Sequence, residues 1–506
     1  MSSATHLPDH QTPQFRVLND AQIEKVYRAT LICLERTGVQ VLNEEARELL
    51  SEAGASVEGT LVHIPAPVIQ DAVAVAPNAF ELWGRPVGDA REQDERYKLE
   101  VSSPPLDRPV VDAVSFGPGP TCTYFVDPET GERRRSRRGD PGLAALVCDG
   151  LDNLDYVMGL ALLDDVIPEL APVYEFAEMV VNTAKPVLPW AYAPDNVADI
   201  YRIALAIAGD EELLRDRPFI ALFATFQSPL QHTQEDLANV LWAVERGLPV
   251  VYLGGGSAGS TAPITGAGTL VITLAGMLSG LAIAQLRKPG TAFCVGSAPQ
   301  PMDLRTARPA YGGPEMSLYS AAVSDVCRYL RLPYMGTAGA SESKAVDQQA
   351  AIESAIQVLL SGISGSALIH DVGFLDCADI GSLEMLVMND EIIGMTRRIM
   401  RGIEINDDTL MLDSIHQVGP GGHFLAEQET ADRCRDEIWI PSLMDRNAWE
   451  EWAAAGASTM TDRIRQRVQT ILSSRVPPPL PDGAQGRIAA ILRSAEARLA
   501  RPRSSP

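Results

Sequence analysis

The sequence predicts an α/β protein built on a parallel sheet, and three observations predict it. From Val110 onward, short β-branched or apolar runs alternate with helical stretches of about 12 to 24 residues. The apolar runs are too uniformly hydrophobic to leave one face wet, as expected of strands buried on both sides. The strand–helix unit recurs about eight times, which suits closure into a (β/α)8 barrel, with a doubly wound open sheet as the competing architecture. In a barrel, function would sit in the loops that follow the strands.

The elements follow in chain order. Residues 1–19 are polar and read as a disordered start, and residues 20–109 as a helical N-terminal subdomain with a connector. Within it, 20–37 is an amphipathic helix with Asp20 as N-cap and Ile23, Val26, Tyr27, Leu31 and Leu34 on its apolar face. A helix at 43–53, a short strand after Ser56 and a Pro-started helix at 67–76 come next, and 84–109 is charged, Pro-rich connector. The barrel is assigned to 110–378. Its strands are expected at 113–116 (with a hairpin at 121–126), 156–160, 187–192, 219–225, 249–253, 291–295, 332–337 and 367–370. Helices should fill the intervals at 141–150, 171–183, 196–208, 234–245, 265–286, 313–330 and 345–361. Residues 379–475 read as a helical region packed on the barrel, and 476–506 as a Pro-rich spacer with a terminal helix at 484–500.

Charge narrows the function. The 506 residues carry 42 Lys and Arg against 66 Asp and Glu, a net charge of −24. That balance argues against a nucleic-acid or anionic-membrane binder, since either needs a concentrated positive face. Seven cysteines are scattered without a CxxC pair, which suits reduced thiols and supplies neither a disulfide framework nor a zinc site. No HxH or HExxH spacing occurs, so a metal is not expected. The N-terminus lacks an apolar signal segment, and the apolar run 263–286 is dotted with Gly and Thr, as in a buried helix. A cytoplasmic protein is expected.

Several groups could carry chemistry. His370, in His370-Asp371-Val372-Gly373, should stand at the carboxyl end of a strand, where an imidazole can meet a carboxylate or an amine. Trp190, Tyr192, Phe226 and Phe374 fall at strand ends with Tyr311 on a loop, and aromatic faces attract quaternary ammonium groups. Gln227 and Gly296-Ser297 add polar groups at the same rim. Gly254-Gly255-Gly256-Ser257-Ala258-Gly259 matches GxGxxG, but no acidic residue follows before Asp303 to hold a ribose, so a packed loop competes with a dinucleotide site. Arg133-Arg134-Arg135 and Arg137-Arg138 form one basic cluster, either a solvated loop or a dock for an acidic group. Ser343 and Lys344 lie on a small-residue turn, and His423 on a Gly-rich one.

Four separated motifs resemble the trimethylamine:corrinoid methyltransferase family. They are Ser341-x-Ser343-Lys344-x-x-Asp347-x-Gln349-Ala350, His370-Asp371-Val372-Gly373, Asn389-Asp390-Glu391-Ile392-Ile393-Gly394-Met395 and Val418-Gly419-Pro420-Gly421-Gly422-His423-Phe424-Leu425. Asp127-Pro128-Glu129-Thr130-Gly131 is similar to the family's first hairpin. The resemblance spans about residues 20 to 475 and implies a (β/α)8 (TIM) barrel that passes a methyl group from a methylated amine to the Co(I) of a separate corrinoid protein. Founding members carry pyrrolysine, whereas relatives without it use quaternary amines such as glycine betaine. This chain has none, and Ser343 and Lys344 stand near its place. The resemblance implies no directly bound cofactor, the cob(I)alamin-type corrinoid coming with its partner protein, and it is compatible with a homo-oligomer. It implies His370 and Lys344 as catalytic candidates and Trp190, Tyr192, Phe226, Gln227, Tyr311, Phe374 and Ser343 around the substrate. Loops bearing Gly254, Gly256, Gly296, Gly339 and His423 would face the corrinoid. One departure concerns Met335, about where non-pyrrolysine relatives place an Arg that would suit a betaine carboxylate. The rival readings are an amine-binding or sensing barrel without methyl transfer, and an NAD-dependent oxidoreductase built on the Gly254 loop.

Overall fold

Six regular strands run parallel in a computed structural model that describes residues 10–88, 93, 95–106 and 114–500. They are β1 (Ser115–Pro118), β2 (Leu222–Thr225), β3 (Val250–Gly254), β4 (Phe293–Ser297), β5 (Tyr334–Thr337) and β6 (Leu368–Val372), in the order β2-β3-β4-β5-β6-β1. Two extended segments, 155–160 and 186–190, close the ring between β1 and β2. Asp155 N–H donates to Phe116 O, Val157 N–H to Pro186 O and Val187 N–H to Phe219 O, with single bridges Val157–Val187 and Val187–Ile220. The result is the expected (β/α)8 barrel rather than an open sheet.

Period-2 alternation sorts the strand residues onto two faces. Tyr156, Met158, Leu188, Ala221, Phe223, Val251, Leu253, Cys294, Met335 and Leu368 meet inside the ring. Val157, Val187, Leu222, Val250, Tyr252, Phe293, Val295 and Ile369 join the helices in the larger outer core. The bottom of the ring is stoppered by an antiparallel strand pair, Ala79–Leu82 with Leu99–Ser102, which adds Leu82, Leu99 and Val101 to the inner cluster. Part of the stretch expected to be plain connector is therefore a strand: its alternating Leu99 and Val101 are buried while Glu100 is exposed.

The N-terminal elements sit against the outer layer. Helix α1 (Asp20–Arg36) is capped by Asn19, one residue earlier than expected, because Asn19 and Gln22 form a reciprocal capping box. Of the start read as disordered, residues 1–9 lie outside the described residues. Residues 15–18 are docked: Val17 and Leu18 N–H both donate to Asp325 Oδ2, and Phe15 N–H to Ile363 O. The basic cluster is not a solvated loop but a strand, Arg133–Arg135, paired with Tyr124–Val126. Arg133 and Arg135 lie over the Tyr124 ring, and Arg134 bridges Asp127 and Asp140.

Helix α2 (Ala171–Asn182) follows the 155–160 segment, and α3 (Gly266–Arg287) follows β3. The latter is the one helix among the described residues long and apolar enough to cross a membrane, and it is mostly buried. Its apolar face runs all round because it packs on α1 as well as on β3 and β4. Helix α4 (Leu383–Met400) follows β6, and α5 (Met460–Ser474) packs on it. The proline tract is pinned, with Arg85 donating to the carbonyls of Pro478 and Pro479 ahead of α6 (Ala484–Leu499).

Between β2 and α3, His232 is fully buried, its Nδ1 2.8 Å from Tyr252 Oη and its Nε2 2.8 Å from Ser279 Oγ. Burial lowers its pKa to about 4, so below the ordinary imidazole value the unfolded chain takes up a proton that the folded chain refuses. Stability should be fully present above about pH 6.5 and fall by about 3 kcal/mol as pH drops toward 4. Thermal unfolding followed from pH 7 to 4 should show a steeper loss for the wild type than for His232→Gln; parallel curves would refute this.

Candidate functional site

The carboxyl ends of the strands gather the polar side chains. Strand β6 aims His370 inward, and its Nε2 lies 3.0 Å from Thr337 Oγ1 on β5, whose hydroxyl in turn reaches Ser297 O. The phenyl ring of Phe223 on β2 lies 6.0 Å from the imidazole, centroid to centroid. Beyond His370 the strand kinks: its register with β1 shifts and Asp371 takes a left-handed φ of 74°. A non-glycine residue holds that conformation only where its surroundings over-determine it. Here the Tyr311 hydroxyl donates to Asp371 Oδ2, and Gly119 leaves room, since a Cβ there would overlap the Asp371 carboxylate and the Phe374 ring. Asp371 Oδ1 lies 2.6 Å from His370 Nδ1, but Nδ1 is misaligned for a hydrogen bond and makes none.

The opposite wall is aromatic with a carboxylate behind it. Trp190 ends the 186–190 segment and meets Tyr192 edge-on at 4.6 Å between centroids. The Trp190 indole packs against the inner cluster, while its Nε1–H is shared between Glu175 Oε1 and Oε2 at 3.1 and 3.0 Å. Glu175 projects from α2 into a notch left by Gly159, where any Cβ would overlap it. Burial pushes its pKa up to about 8, against which the single indole donor is a weaker opposing effect. Neither Glu175 nor Asp371 has a Lys or Arg partner among the described residues.

The structure thus brings together some of the expected residues and disperses others. His370, Trp190, Tyr311 and Phe374 converge at the mouth, with Tyr192 half exposed beside Trp190. Ser343 is buried in the turn after β5, its N–H bonded to Ser341 Oγ. Lys344 lies on the outer rim, two-thirds exposed, with Nζ on Glu342 O and 3.4 Å from Asp376. Phe226 points outward, packed on Tyr252 and against Gly254 and Gly276, because it falls on the opposite phase of the alternation from Phe223. Gln227 is exposed in a turn closed on Gln231.

The glycines of the GxGxxG loop are spent on packing: Gly255 lies against the Ala298 backbone, Gly256 against Ala262, and Ser257–Ala258 pairs with Gln300–Pro301. Gly296 faces Leu253 inside the ring, and Gly339 turns at φ 78° against Val372 and Asn389. His423 is exposed in the segment that follows α4, whose last turn lies at the strand-start end where Arg397 pairs with Asp155. Phe223, Thr337, Asp371 and Glu175 were not among the expected site residues. Strict alternation from Met335 and Ala221 would have found Thr337 and Phe223. The signal for Glu175 is weaker: it is one of two glutamates in the otherwise apolar 172–181 stretch, the other, Glu178, pairing with Arg138.

A closed (β/α)8 ring with its buried polar and aromatic groups gathered over the strand ends has the layout of a barrel enzyme, with its site at the carboxyl face. Residues 1–498 match the trimethylamine methyltransferase (MTTB) family, to which the chain belongs. It is 31% identical over 479 residues to trimethylamine methyltransferase MttB of Desulfitobacterium hafniense, covering 94% of this chain and 92% of that one. It is 27% identical to a glycine betaine methyltransferase of the same species over 470 residues, 92% of this chain and 94% of the relative. Among solved structures, Methanosarcina barkeri monomethylamine methyltransferase shares the fold, with a TM-score of 0.53 at 10% identity over 92% of this chain and 89% of that one.

Removing the Tyr311 hydroxyl should leave a buried Asp371 oxygen without its donor. Tyr311→Phe should therefore cost about 1–3 kcal/mol, read as a lowered denaturation midpoint with an unchanged denaturant slope. A midpoint equal to that of the wild type would show that the contact is dispensable.

Proposed function

We propose that this chain takes an N-methyl group from a methylated ammonium compound and passes it to the Co(I) of a corrinoid carried by a separate protein. The observation that carries this is the pairing, at one barrel mouth, of aromatic faces with buried carboxylates that have no Lys or Arg partner among the described residues. Trp190 and Phe223 offer π faces, each worth about 0.5–2 kcal/mol to a cation, and Glu175 and Asp371 supply negative charge in a low-dielectric setting. Membership of a methyltransferase family fits the same reading.

The chemistry asks little of acid–base groups. In an in-line displacement the Co(I) electron pair forms the Co–C bond while the C–N pair returns to nitrogen. A quaternary nitrogen then leaves as a neutral amine and needs no proton. The protein's share is to orient the cation and exclude water, which agrees with a mouth built of aromatics and with Lys344 standing outside it. His370, held by Thr337, bounds the substrate on the side facing Phe223. The corrinoid partner would approach over the strand-end loops, where Gly339 turns after β5. None of the eight barrel segments carries a Lys or Arg, and Met335 fills the layer beneath Thr337. That composition favours an amine without a carboxylate, such as choline or tetramethylammonium, over glycine betaine.

The test is anaerobic mixing with Co(I) corrinoid and a panel of choline, tetramethylammonium, trimethylamine and glycine betaine. Methyl-corrinoid absorbance should appear with a quaternary amine lacking a carboxylate. Trp190→Ala should lower kcat/KM at least ~10-fold. No methylation with any amine of the panel would overturn the reading.

A further inference from the structure

We infer that Glu175 is the fixed counter-ion of the ammonium site, acting through the Trp190 indole, and this rests on the reading just given. Glu175 is 1% exposed, and among the described residues the only hydrogen-bond donor to its carboxylate is the Trp190 N–H. Both carboxylate oxygens share that one proton, so most of their acceptor capacity is unmet. Gly159 on the neighbouring segment is the residue that makes room for it. A buried carboxylate with neither a basic partner nor a full set of donors is costly, and nothing in the packing of α2 calls for one.

The indole supplies the link to the site. Its N–H edge faces Glu175 while its body packs against the inner cluster below the mouth. A carboxylate accepting the N–H pushes electron density onto the ring and deepens the negative potential on its faces, where a cation binds. A ligand cation on Trp190 thus meets the charge that the fold leaves uncompensated. Without it, the buried acid is protonated at neutral pH, as its pKa of about 8 implies. Binding of a cation should then expel the proton, because the ionised form gains a partner only in the complex.

Among the described residues the groups facing Glu175 are the Trp190 N–H and the Tyr192 phenol from the chain after 186, and Gly159 from the segment beside it. The phenol is itself pushed above its ordinary value by burial and by Glu175, so it stays neutral through the range that matters.

Choline and its neutral carbon analogue, 3,3-dimethyl-1-butanol, separate charge from shape. Calorimetry on the full chain should show Glu175→Gln weakening choline at least ~10-fold while leaving the neutral analogue within about twofold, since Gln keeps an acceptor for the indole. Ligand-free Glu175→Gln should melt no lower than the wild type at pH 8, because it removes an unpaired buried acid. A second readout needs no variant: wild-type choline affinity should tighten about tenfold from pH 7 to pH 9, above the range of an ordinary imidazole, with proton release that depends on buffer ionisation enthalpy. Choline affinity that is unchanged in Glu175→Gln and flat with pH would overturn the counter-ion role and leave the methyltransferase reading standing. No choline binding by the wild type, with no methylation of the panel, would overturn both.

Discussion

Everything at the mouth depends on how the ring of eight is closed. Six strands share an ordinary parallel ladder, but 155–160 and 186–190 are tied to each other and to β2 by single bridges. Beside this stretch Gly159 leaves the room that Glu175 fills from α2, and Trp190 turns its N–H edge to meet that carboxylate while its body stays on the inner cluster. The irregular part of the barrel is the part that holds the aromatic wall. Closure is secured at the other end, where the Leu82–Leu99–Val101 stopper fills the ring and Trp83 N–H bonds to Pro218 O.

A second constraint is the exchange of volume between glycines and the large or charged groups beside them. Gly117 faces Tyr156, Gly119 faces Asp371 and Phe374, Gly159 faces Glu175, and Gly280 faces Tyr252. In each pair a Cβ would overlap the partner, so the glycine is required for space rather than for backbone freedom. Interiors packed near crystal density cannot absorb such an overlap cheaply. Two of the four pairs place carboxylates at the mouth. The geometry of the charged groups is therefore written into strand positions that look featureless one at a time.

This explains what could be read from the sequence. All eight barrel segments were legible, because runs such as Val250-Val251-Tyr252 and Leu368-Ile369 are buried on both faces and cannot be anything else. His370 was legible because a His ending such a run must stand at the strand's carboxyl end. The stopper strand was not, since Leu99-Glu100-Val101 is brief and sits in charged, Pro-rich surroundings. Phe226 is hard to place for a simpler reason: only its phase relative to Phe223, three residues earlier, decides which side of the ring it faces. Glu175 is marked in the sequence only as a carboxylate within an apolar helix; that it meets an indole and no Lys or Arg among the described residues is a property of the folded chain.

The net negative charge acts differently at the surface and at the mouth. A net −24 spread over the surface is screened within about a Debye length of 8–10 Å and steers a cation only weakly at cellular salt. The rim itself is mixed, with Arg308 and Lys344 on Asp376 and Arg133 near Asp379. Selection for positive charge therefore cannot rest on the overall balance. On the proposed reading it would rest on the two carboxylates buried at the mouth, since the same charge acts far more strongly there than at the surface. Asp371 is already engaged by Tyr311 and faces His370, whereas Glu175 has, among the described residues, only an indole hydrogen. Glu175, buried behind the aromatic wall with its pKa pushed up to about 8, is where the proposed reading puts the acidity to use, through placement rather than total charge.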